Sequence, residues 1–77
     1  MAKYKVHIKK DGNETTYTTN ATTLATVTYC ANLDKYDVST PSVGLMVSTA
    51  EEADKIARES VTDFLASVGV TPQFIND

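Results

Sequence analysis

Residues 48–69 read STAEEADKIARESVTDFLASVG, and their reading decides the fold. Ser48 followed three residues later by Glu51 has the spacing of a capping box, in which hydroxyl and carboxylate each satisfy a free amide of the first turn. Glu51, Glu52 and Asp54 place negative charge where the helix dipole favours it. Ala53, Ile56, Ala57, Val61, Phe64, Leu65 and Val68 then recur at three- and four-residue intervals, one apolar stripe at the helical period. The opposite face carries Glu51, Lys55, Arg58, Glu59, Thr62 and Asp63. Two pairs, Glu51 with Lys55 and Asp54 with Arg58, stand in the favourable i,i+4 order. Gly69 suits the left-handed residue after a helix, and Pro72 prevents continuation. The spacing predicts an amphipathic helix over 49–68, and a helix with one dry face needs a sheet or a second helix to lie on.

The sequence before it supplies a sheet. Residues 3–9, KYKVHIK, alternate strictly: Tyr4, Val6 and Ile8 point one way, Lys3, Lys5, His7 and Lys9 the other, as in a half-buried strand. Asp11-Gly12 signals a tight turn, and ETTYTT over 14–19 reads as the returning strand. Residues 20–33, NATTLATVTYCANL, fit two readings. As a helix, Asn20 caps it and Leu24, Val27 and Ala31 form a stripe. As a strand, Ala25, Val27, Tyr29 and Ala31 alternate with Thr26 and Thr28, and threonine's stiff side chain favours this. We lean to a helix over 21–33. Residues 34–42 read as a loop, and VGLMV over 43–47 as a short buried strand. The tail carries Val70, Phe74 and Ile75, suited to an edge strand or a cover over the core. The expected fold is one α+β domain spanning residues 1–77. A small antiparallel or mixed sheet, made of the N-terminal hairpin plus strand 43–47, packs against the C-terminal helix.

Seventy-seven residues make one domain, which buries only about 60% of its unfolded surface. The net charge is −3, with 7 Lys and Arg against 10 Asp and Glu, so a general nucleic-acid binder is disfavoured. The charge is uneven: Lys3, Lys5, Lys9 and Lys10 precede every acid. The single cysteine, Cys30, excludes a disulfide within one chain and fits a reducing, cytoplasmic setting. The N-terminal MAKYKVHIKK has no apolar core of a signal peptide, and no run is long enough to span a membrane. The chain reads as a complete small gene product.

A catalytic or metal site needs convergent groups, and the sequence offers few. His7 is the single histidine and faces outward on the first strand, while Cys30 is expected near the core. No metal-ligand spacing or phosphate-binding glycine loop is present, so we expect no cofactor and no enzyme activity. The eight threonines from Thr15 to Thr28 follow from strand propensity. The remaining candidate for binding an anion or a partner is the strip Lys3, Lys5, His7 and Lys9, with Lys10 beside it. On the helix, Glu59 and Asp63 form an unpaired like-charge pair that would meet a basic protein partner. The expected function is a non-enzymatic protein-binding module. Small acidic chains of this kind occur among phage and mobile-element products that antagonise a host protein. The alternative is binding of nucleic acid or an anionic nucleotide by the basic strip. The apolar VGLMV and Phe74-Ile75 segments favour a homodimer.

Overall fold

The computed structural model describes residues 3–20 and 22–76. Six strands and one helix run in the order β1 (Lys3–Asp11), β2 (Glu14–Thr19), β3 (Thr22–Cys30), β4 (Lys35–Ser39), β5 (Gly44–Val47), α1 (Ala50–Ser67) and β6 (Thr71–Asn76). The expected α+β architecture is present: one mixed sheet, ordered β5-β4-β3-β2-β1-β6, packed against one C-terminal helix. Strands β1 to β5 form an antiparallel meander, and β6 joins the far edge parallel to β1. A parallel partner demands a crossover. The 18-residue helix provides it, and its length of about 27 Å matches the roughly 24 Å across six strands.

Two expectations for the middle of the chain are corrected. Of the segment expected as a helix over 21–33, residues 22–30 form strand β3 and 31–33 a turn, Ala21 lying outside the described residues, and the loop expected over 34–42 contains strand β4. The physical reason is pairing. Isolated, 20–33 carries both periodicities, but β2 offers it a free edge in register, from Glu14 opposite Thr28 to Thr19 opposite Thr22. A bulge at Leu24 breaks the alternation, so Leu24 and Ala25 are both buried. That break is what resembled a helical stripe. Asp34, with φ 51, makes the tight turn that returns the chain into β4.

The helix begins one residue later than its capping box suggested. Thr49 is the N-cap, and its hydroxyl accepts from the amide of Glu52 at 3.2 Å. At the other end Gly69, at φ 79, closes a Schellman turn: its amide donates to Ala66 and that of Val70 to Leu65. Ala53 and Ala57 are fully buried, which lets the helix lie close to the sheet. Phe64 and Val68, assigned to the dry stripe, are instead 43% and 64% exposed. Ser60 takes a buried place in their stead. Its hydroxyl donates to Thr40 at 2.9 Å and lies 3.3 Å from that of Ser42, tying the β4–β5 loop to the helix. Of the two expected helix ion pairs, only Asp54 with Arg58 closes among the described residues, at 2.9 Å.

Because the helix covers one face alone, the sheet has a covered and an open side. Val6, Ile8, Tyr17, Val27, Val38 and Val47 face the helix and form the core with Val61 and Leu65. The open side carries the alternate residues of each strand.

Candidate functional site

The covered face is not covered throughout. The helix starts beyond the end of β5 and runs obliquely towards β6. The Thr40–Ser42–Ser60 hydroxyls close the lower corner of the sheet. The upper corner, over the ends of β1, β2 and β3, stays open. There a cavity of about 270 Å³ lies between the β1–β2 turn and the first turns of the helix. Its walls are Tyr17, Tyr29 and Tyr36, with Lys10, Asn13 and Thr15 on one side and Ala50 and Asp54 on the other.

Strand geometry places the three rings together. Tyr17 follows the inward alternation of β2 and Tyr29 that of β3. Tyr36 is the direct cross-strand partner of Tyr29. The Tyr29 and Tyr36 rings lie 4.9 Å apart, tilted by 46°, within the range of a favourable aromatic pair. Both rings remain half-buried, whereas Tyr17 is 1% exposed and forms the floor.

Carboxylates fix two of the phenols. The Tyr17 hydroxyl donates to Oδ1 of Asp54, whose Oδ2 accepts from Arg58 Nε at 2.9 Å. The Arg58 guanidinium in turn lies 5.0 Å over the ring of Phe74, a cation–π contact. Tyr29 donates to Asp34 at 2.8 Å. Burial pushes the Tyr17 phenol far above its ordinary range, and the Asp54 hydrogen bond and charge add to it. For Tyr29 the hydrogen bond to Asp34 is the larger cause of an upward shift. Both therefore stay protonated donors near neutrality.

The basic strip is divided by the strand pleat. Lys3, Lys5, His7 and Lys9 lie on the open face, where Lys3 and Lys5 stand beside Thr71 and Gln73 of β6. His7 faces Thr18 across β2, and Lys9 faces Thr16. Lys10, one residue out of step, falls on the other side, at the rim of the tyrosine cavity. At its start β1 runs past the end of β2, leaving a notch of about 330 Å³ bordered by Lys3, Lys5, His7, Thr19 and Asn20. Glu59 and Asp63 are exposed on the outer face of the helix and belong to neither cavity. His7 and Cys30 are not brought together, since they lie on separate strands and different rungs. Among the described residues no group of His, Cys, Asp and Glu has the clustering of a metal site.

Sequence reasoning missed Tyr17, Tyr29, Tyr36 and Asp54 as a group. The signal that finds them is the period-2 alternation of three consecutive strands, which becomes readable once 22–30 and 35–39 are both strands.

Compared with known protein families, curated proteins and solved structures, the chain matches none.

Proposed function

We propose that this chain is a small cytoplasmic protein-binding module whose recognition site is the tyrosine corner. One observation carries the reading: Tyr29 and Tyr36 pack ring against ring, half-exposed, beside a cavity that the fold leaves open. Tyrosine combines a large apolar surface with few rotatable bonds and a polar tip, which is why it dominates interface hot spots. Among the described residues, the open sheet face carries no tyrosine. Its centre is a field of hydroxyls, Thr16, Thr18, Thr26 and Thr28, flanked by lysines at one end and carboxylates at the other. A binding protein that antagonises its partner needs surface and no chemistry, and the corner supplies the surface. The test compares capture by the immobilised wild type and by a Tyr29→Ser, Tyr36→Ser variant from lysate of the source cells. A partner retained by the wild type and lost by the variant supports the reading; equal retention by both refutes it.

A second reading rests on the notch at the start of β1. Lys3 and Lys5 border it, and among the described residues the strand neighbours of Lys3 and Lys5 are Thr71 and Gln73 of β6. This arrangement favours a phosphate-bearing ligand, as in a nucleotide or nucleic acid. Changing Lys5 and Lys9 to Glu is expected to abolish such binding, and binding by the wild type is expected to weaken with salt. Self-association is a further part of the proposal, because neither edge strand, β5 or β6, carries a charged side chain.

A further inference from the structure

We propose that the tyrosine cavity takes the guanidinium of an arginine presented by the protein partner. The inference rests on the reading of the corner as the recognition site, and it names the chemistry of what enters.

The rings come first. Tyr17 and Tyr29 each donate their phenolic hydrogen to a carboxylate, Asp54 and Asp34. Donation to an anion leaves the ring electron-rich, and an electron-rich face attracts a cation. Charge agrees. Among the described residues, Lys10 is the one basic residue lining the cavity. Asp54 in the wall is shared by Tyr17 and Arg58, Asp34 accepts from the wall residue Tyr29, and Glu51 and Glu52 follow the wall residue Ala50 in the first helical turn.

The fold already holds one guanidinium by the same chemistry. Arg58 lies 5.0 Å over Phe74 while Asp54 accepts its Nε–H at 2.9 Å. One aromatic face and one carboxylate are sufficient there. Tyr29, a wall residue of the cavity whose phenol donates to Asp34, presents the same pairing of ring and carboxylate. The volume, about 270 Å³, lies below the roughly 300–1,000 Å³ usual for small-molecule pockets and suits a single side chain. Arginine is preferred to lysine because its flat cation stacks on tyrosine and forks to a carboxylate.

Lys10 makes the proposal testable by sign. It is exposed at the rim and repels a cationic occupant, whereas it would attract an anionic one. The experiment follows the tyrosine ring signals of the full chain by NMR during titration with N-acetyl-arginine methylamide. The lysine and glutamate analogues serve as comparisons at matched ionic strength. The expected result is a shift of the Tyr29 and Tyr36 rings by the arginine probe, with Kd on the order of millimolar. Binding of the glutamate probe is expected to be at least about tenfold weaker, a difference near 1.4 kcal/mol. Lys10→Met is expected to tighten arginine binding about two- to threefold, the size of one exposed charge contact. Tyr36→Leu, which keeps apolar bulk, is expected to weaken it. The proposal is overturned if the glutamate probe binds as well as the arginine probe, if Lys10→Met weakens arginine binding, or if no probe moves the rings. Loss of a captured partner in the Tyr29→Ser, Tyr36→Ser variant would then still stand, so the two readings fail separately.

Discussion

Tyr17 is where the sheet, the helix and the cavity meet. Its ring is buried and its hydroxyl reaches Asp54 on the helix. Replacement by Phe keeps the ring and removes the hydrogen bond, at an expected cost of about 1–2 kcal/mol near neutral pH. The pH dependence follows from the raised phenol. An unfolded tyrosine ionises near 10.0, while burial and Asp54 hold the folded phenol well above that. Below pH 10 both states keep the proton, and the contribution of the hydroxyl is complete. Above it the unfolded chain releases the proton first, so stability falls as pH rises. Denaturant unfolding of wild type and Tyr17→Phe should therefore show a stability gap that is constant from pH 7 to 9 and shrinks beyond pH 10. A gap that widens beyond pH 10 would contradict the assignment.

At the scale of elements, the helix cap distinguishes two neighbouring hydroxyls. Ser48 and Thr49 both stand three residues before a glutamate, and the structure uses Thr49. Thr49→Ala is expected to cost about 1 kcal/mol, while Ser48→Ala changes stability by a few tenths at most. Equal losses, measured by thermal unfolding, would show a cap shared by both. The same elements show why part of the fold was legible in the sequence and part was not. The helix and the first hairpin are specified locally, by period, cap and Asp11-Gly12. Strand β3 is not, because Leu24, Val27 and Ala31 satisfy a helical spacing as readily as Ala25, Val27 and Tyr29 satisfy alternation, and only the β2 edge selects the strand. The corner was hidden for the same reason. Tyr29 is read as facing the helix only after its strand and its pairing with Tyr36 are known. Lys10 was picked for its charge, and the pleat places it away from the lysines with which it was grouped.

For the whole molecule, the meander has an uncovered face and two open edges. The apolar segments expected to promote a dimer now have definite places: residues 44–47 form one edge and 71–76 the other. Pro72 lacks an amide hydrogen and blunts the β6 edge, whereas β5 presents Leu45 and Met46, 36% and 42% exposed. Pairing of β5 with β5 of a second copy is the expected contact. Light scattering at micromolar concentration should give twice the 8.4 kDa chain mass, and Met46→Lys should return it to one chain. A wild-type mass of one chain refutes the dimer and leaves the tyrosine corner untouched, since the lining of the cavity comes from β1 to β4, the β1–β2 turn and the helix.

The proposed binding function requires that a partner sits on the tyrosine corner. The most direct measurement places a photoreactive benzoylphenylalanine at position 36 in one version of the chain and at position 26 in another, then irradiates each in lysate of the source cells. Position 36 borders the cavity, and position 26 lies at the centre of the open threonine face. We predict one dominant cross-linked protein from position 36, suppressed by added unlabelled wild-type chain, and none from position 26. The same product arising from position 26 and not from position 36 would contradict the account.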